Sequence, residues 1–197
     1  SEEKGVKNIE EAIAGAKDII AERISDDAAL RKTLREIIAK KAQIKAVWDE
    51  EKDTNKTYEN YKDFSGEVAK LPSHRILALN RGEKEDCLKV DIEINPKLTI
   101  TEIEKAYKKE NEFTNQIMLD TIQDSYDRLL FPSLENECRR ALTDRANEQA
   151  IKMFEVNLKP LLLQAPLKNN VIMGYDPGYY NGCKIAVIDT KGDVLDT

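Results

Sequence analysis

The apolar residues of this chain recur at helical spacing as far as Leu163 and then change period. Ile9, Ala12, Ile13, Ala16, Ile19, Ile20 and Ile24 follow one another three and four residues apart behind Asn8, a residue suited to cap a helix. Asp26 or Asp27 is placed to cap a second helix, with Ala29, Leu30, Leu34, Ile37 and Ile38 inward. Pro166 with Asn169-Asn170 marks a boundary. Beyond it, Val171–Tyr175 reads as a strand, Asp176-Pro177-Gly178 as a turn and Lys184–Ile188 as a second strand. Asp189–Asp193 reads as a hairpin turn, and Val194-Leu195 opens a third strand. Two or three strands without a helix of their own cannot bury both faces. They either pack on the helical part or open a larger domain, and the stop at Thr197 in mid-strand favours the second.

Between these ends the pattern is mixed. Gln43–Trp48 alternates weakly and is expected to be extended. Residues 49–63 read as a polar loop with a short helical turn, and Asp63-Phe64-Ser65 as the cap of another helix. Leu71-Pro72-Ser73 predicts a helix over 73–81, closed by Gly82 at the first position beyond it. Cys87–Ile94 alternates with period two and is stopped by Asn95-Pro96, a strand signature. Thr99–Lys108 and Thr114–Leu130 are expected to be helical, Pro132 to start a further helix, and Asn147–Leu163 to form another. The fold class is therefore mainly α, multi-helical with a small β element, followed by the first strands of a truncated α/β domain.

Composition narrows the function. At 197 residues and 41% hydrophobic, the chain can build one substantial core or two modest ones. Its 31 Lys and Arg against 37 Asp and Glu give a net charge of −6, so any nucleic-acid contact must come from a local basic patch. Three scattered cysteines, Cys87, Cys138 and Cys183, and one histidine provide neither a disulfide framework nor a zinc site. No apolar run approaches the length of a membrane span. The start Ser1-Glu2-Glu3 does not resemble a signal peptide, and the missing initiator Met reads as a processed chain or an internal piece. The expectation is a cytoplasmic protein with no membrane contact, no metal and no cofactor.

Three groups could carry chemistry. Asp176, an acid at a strand end before a Gly-rich turn and a return strand, matches the opening of an RNase H-like or actin-like fold. There such an acid holds Mg²⁺ for phosphoryl chemistry. A single Asp is half a site at best, Asp189 lies at the opposite strand end, and Asp-Pro-Gly is also ordinary turn chemistry. The second group is Arg75, Arg81 and Lys84, with His74. Residues 73–82 contain two arginines and no acid, so they could hold phosphates; the competing reading is a solvated helix face neutralised by Glu83 and Glu85. His74 reads as a cap or packing residue. The third is Arg139, Arg140, Arg145 and Lys152, matched by Glu135, Glu137, Asp144 and Glu148, a salt-bridged helix surface. Tyr58, Tyr61 and Phe64 could stack on bases but read better as a small satellite core.

Three strings carry a family resemblance: Leu71-Pro72-Ser73-His74-Arg75 with Asn80-Arg81-Gly82-Glu83; Leu130-Phe131-Pro132-Ser133-Leu134-Glu135-Asn136-Glu137; and Gly174-Tyr175-Asp176-Pro177-Gly178 with Gly182-Cys183-Lys184. Together with Ala165-Pro166-Leu167 they resemble, in order along the whole chain, the Tex family of bacterial transcription accessory proteins. The resemblance implies that residues 1–167 are the later part of a helical region and 168–197 the first strands of a YqgF domain of RNase H-like fold. It implies a longer protein whose nucleic-acid affinity lies mostly in a separate OB-type RNA-binding domain. It carries Asp176 onto the first-strand acid of RNase H-like nucleases, in a domain regarded as lacking the full acidic set. Tyr179-Tyr180-Asn181 departs from the aromatic-Arg-Thr common in the family. The expected role is a scaffold segment, not itself an enzyme, of a protein that binds RNA or DNA. The alternatives are a Mg²⁺-dependent nuclease or resolvase using Asp176, or a helical module that docks on the transcription machinery.

Overall fold

The computed structural model describes residues 8–108, 113–165, 167–178, 180 and 182–197. Pro166, Tyr179 and Asn181, which entered the readings above, lie outside the described residues. The chain forms two compact units that meet in sequence between Lys152 and Met153.

In the first unit, α1 (Ile9–Asp26) starts where Asn8 Oδ1 accepts the Glu11 amide at 2.7 Å. Asp27, not Asp26, caps α2 (Ala28–Lys41), accepting from the Ala29 and Leu30 amides. The Tyr107 hydroxyl donates to its second oxygen at 2.8 Å. Ala21 and Ile24 of α1 are buried, whereas Ile9 and Ile19 are exposed. A three-stranded antiparallel sheet follows, with β1 (Gln43–Trp48) between β2 (Phe64–Glu67) and β3 (Leu88–Glu93). Ile44, Ala46, Val90 and Ile92 face the core formed with Leu34 and Ile38. Residues 64–67 are thus a strand, not the start of a helix. Asp63 has φ 53°, which is not the extended backbone of a capping residue. Ser65 and Phe64 take register partners in Lys45 and Ala46 instead.

α3 (Ser73–Lys84) runs past Gly82, which is buried inside it. A Cβ there would lie 2.6 Å from Leu88 Cδ1 and 3.0 Å from Tyr58 Cδ1, so the glycine serves close packing. The helix ends instead at Asp86, φ 59°. The Cys87 amide donates to Gly82 O at 2.8 Å and the Asp86 amide to Glu83 O at 3.1 Å, a Schellman closure. α4 (Pro96–Tyr107) begins earlier than Thr99, because Asn95 caps it and Pro96 occupies its first turn.

α5 (Asn115–Asp124) continues through a wide π turn at Ser125–Leu130 into α6 (Phe131–Leu162). Pro132 lacks an amide proton, and in an α-helix its ring would crowd the carbonyl of Arg128, which lies within the wide turn. The two helices expected after Pro132 are one, since no Gly or Pro interrupts 133–159. Within the first unit, α6 also seals the outer edge of β3. Glu135 Oε1 accepts the Ile92 amide at 2.8 Å, and Arg139 Nη1 donates to Val90 O at 3.0 Å.

The second unit contains the end of α6 and an antiparallel sheet of β4 (Ile172–Asp176), β5 (Lys184–Ile188) and β6 (Val194–Asp196), in that order. Its apolar side chains are poorly covered: Met173, Tyr175 and Val194 are each more than 60% exposed. The molecule is mainly α with small antiparallel sheets. Among the described residues, no helix is long and apolar enough to cross a membrane.

Candidate nucleic-acid interface

α3 presents His74 in its first turn and Arg81 and Lys84 in its last, all exposed. Arg75, the other expected phosphate ligand, sits near the helix start with its guanidinium 5.5 Å from the centre of the Phe64 ring, a cation–π contact. The Ser73 hydroxyl beside it donates to Gln149 of α6. Those two contacts give the first turn a packing role.

The second half of the helix differs. Glu83 and Glu85, the acids expected to neutralise Arg81 and Lys84, have other partners, as does Asp86 beyond them. Glu83 binds Arg139, Glu85 accepts the Tyr58 hydroxyl at 2.8 Å, and Asp86 pairs with Lys52 at 2.5 Å. The Arg81 and Lys84 side chains make no hydrogen bond or ion pair with another described residue. They also lie in the last turn, where positive charge complements the helix dipole. The burial of Tyr58, together with the Glu85 carboxylate, pushes its phenol up to about 12. The Lys52 ammonium is raised by its hydrogen bond to Asp86.

The arginines of α6 serve the fold. Arg139 is a half-buried tie between β3, Asn80 and Glu83 rather than an isolated surface ion pair. Arg145 Nη2 donates to Leu71 O at 2.9 Å. Glu137 accepts from both Arg31 and Arg35 at 2.5 Å, and these guanidiniums hold its carboxyl below the ordinary range. Tyr58 belongs to the main core, while Tyr61 and Phe64 pack against that core and meet each other edge to face at 5.4 Å. Sequence reading missed the basic character of α2, where Arg31, Lys32, Arg35, Lys40 and Lys41 stand against Glu36 alone. The signal for it in sequence is the run of five cations over one helix.

Asp176 is exposed at the end of β4, and its register partner across the ladder is Lys184. Asp189 is occupied in its turn, accepting from the Lys191 and Asp193 amides at 2.8 and 2.9 Å, which lowers its carboxyl. Among the described residues, no three His, Cys, Asp or Glu side chains converge on a point that could hold a metal ion. One carboxylate opposite a lysine does not fit a two-metal centre, so no reaction step is derived through one.

Residues 1–154 match the family model described as Tex central region-like, and 170–197 match that of the Tex protein YqgF-like domain. The chain is 46% identical to the uncharacterized protein YdcI of Bacillus subtilis (strain 168), over 99% of this chain and 28% of that protein. It is 34% identical to the transcriptional accessory protein Tex of Neisseria gonorrhoeae, over 98% of this chain and 27% of that protein. It is 30% identical to the human S1 RNA-binding domain-containing protein 1, over 98% of this chain and 21% of that protein. The chain therefore spans about a quarter of the length of these relatives.

Proposed function

The chain belongs to the Tex family, and on that premise we propose that it is a scaffold segment of a nucleic-acid-binding transcription accessory protein, with no catalysis of its own. Its nucleic-acid contact is confined to Arg81 and Lys84 on α3. One observation carries this reading: Glu83 and Asp86 are ion-paired with Arg139 and Lys52, so two of the three acids near those cations are neutralised by other residues, while Glu85 keeps its charge and accepts the Tyr58 hydroxyl. Arg31, Arg35, Arg139 and Arg145 are instead tied to other parts of the fold. Two point charges on one helix contact a phosphate backbone without reading bases, so the contact orients a strand and specifies no sequence. The names of relatives, one a transcriptional accessory protein and one an S1 RNA-binding protein, support the same assignment.

The absence of catalysis rests on Asp176 standing opposite Lys184 without a converging set of acids among the described residues. The test is Mg²⁺-dependent cleavage of labelled single-stranded and branched substrates by the longer protein that contains this segment, as wild type and as Asp176→Asn. No cleavage by either is expected. Cleavage by the wild type that disappears in Asp176→Asn would overturn the scaffold assignment in favour of a nuclease.

A further inference from the structure

We propose that the trough between α2 and α6 in the first unit is a docking groove for an acidic amphipathic helix of a protein partner. It is separate from the α3 cations and does not rest on the nucleic-acid reading. The trough has a volume of about 470 Å³, and its floor is made by Ile38, Val68, Leu134 and Leu142. Its walls include Ala39, Ala69 and Ala141, all exposed. Three methyl side chains leave the space open that larger residues would fill. The volume falls within the range of ligand-binding clefts and admits two or three aliphatic side chains.

The rim supplies the charge. Arg35 and Arg145 line the trough with a single acid, Glu137. Glu137 is already neutralised by Arg31 and Arg35. Arg145 is pinned by its bond to Leu71 O, which fixes its guanidinium at the trough. Arg31, which shares Glu137 with Arg35, adds a third guanidinium beside them, so three arginines stand against one carboxylate. An apolar, cationic groove in a chain of net charge −6 is a local inversion of charge. Its complement is a segment with an apolar stripe flanked by carboxylates. The two long walls are helices, and α2 is about 21 Å long at 1.5 Å per residue, which suits a helix laid in a groove. The floor is aliphatic and offers no ring for a base to stack on, which argues against a nucleic acid in the same place.

The probe is a fluorescein-labelled, helix-forming peptide of about 16 residues, long enough to keep some helicity in water. It carries leucines at i, i+3, i+4 and i+7 and glutamates on the flanks. Two controls replace the glutamates by lysine or the leucines by serine. Fluorescence anisotropy is followed as the chain is added. Binding of the acidic peptide alone is expected, weakened about tenfold or more when Ala141→Trp fills the trough. Arg35→Gln should weaken it less and reduce its dependence on salt. Ala39→Trp blocks the trough from the opposite wall, so the test survives if one tryptophan variant fails to fold. No binding of the acidic peptide, equal binding of the lysine peptide, or binding unchanged by both tryptophans would each overturn the proposal. Self-association of the chain that either tryptophan abolishes, or displacement of the peptide by single-stranded RNA, would overturn it too, by assigning the trough to another occupant.

Discussion

Gly82 shows how one residue can carry two opposite meanings. In sequence it stands where a helix-ending glycine belongs. In the structure it is buried one turn earlier, with Leu88 and Tyr58 against its α-carbon. A Gly82→Ala substitution gains about 1 kcal/mol of helix propensity but forces a methyl into a gap of 2.6 Å from Leu88 Cδ1. A net destabilisation of about 1–3 kcal/mol is expected from the overpacking, read as a lower urea midpoint. The true helix stop, Asp86, was illegible because a left-handed aspartate looks in sequence like any other polar loop residue. Asn8 and Asn95 were legible in different degrees: Asn8 as a cap, Asn95 only as a strand stop. The acids give a pH dependence. Glu137 lies below its ordinary 4.5, chiefly through Arg35, and Asp27 below its ordinary 3.8, chiefly through the Leu30 amide. Carboxyls lowered by folding stabilise the protein above their unfolded values and lose that effect as pH falls through their folded ones. The urea midpoint is expected to stay level above about pH 5 and to fall as the pH drops below 4.5, with a smaller fall in Glu137→Gln.

At the scale of elements, the sheet of the first unit survives because α6 closes one of its edges. Glu135 and Arg139 provide an acceptor and a donor to β3 where a fourth strand would otherwise pair. Arg139→Met keeps the stem but leaves Val90 O and Glu83 without this partner. A loss of about 2 kcal/mol or more is expected, measured by chemical denaturation. The strand β3 itself was plain from its alternation, and β1 followed from a weaker one. β2 was hidden, because four residues show too little period, and its extended state comes from pairing with β1. The fusion of two expected helices into α6 has a similar cause. The Thr143–Asn147 stretch has ordinary polar residues that permit a break without requiring one, and the packing of Leu142 and Ala146 keeps it helical.

For the whole molecule, the contrast between the units is one of coverage. The first unit holds the contiguous core, whereas β4 and β6 expose large apolar side chains. Amides of β4 and β6 are expected to exchange at least about a hundredfold faster than those of β1, which is paired on both sides and buries one face in the core. Strong protection of β4 in a dilute monomer would contradict that picture. The mainly α class and the strand-rich end were legible from the change of period alone. The candidate site was legible only as a cluster of cations. Which of them lack an ion-pair partner depends on what holds Glu83 and Asp86, and those partners come from distant parts of the chain.

The central claim, a scaffold whose nucleic-acid contact is local to α3, is tested most directly by fluorescence anisotropy. Labelled single-stranded RNA is titrated with the chain at about 50 and about 200 mM salt, as wild type and as Arg81→Ala/Lys84→Ala. Two phosphate contacts give a slope of about −1.4 in log K against log salt for a single strand, or about a sevenfold loss of affinity between these conditions. That loss in the wild type, with binding abolished in the double variant at an unchanged urea midpoint, is the expected result. Binding that ignores salt, or that persists in the double variant, would contradict the claim and place the contact elsewhere on the chain.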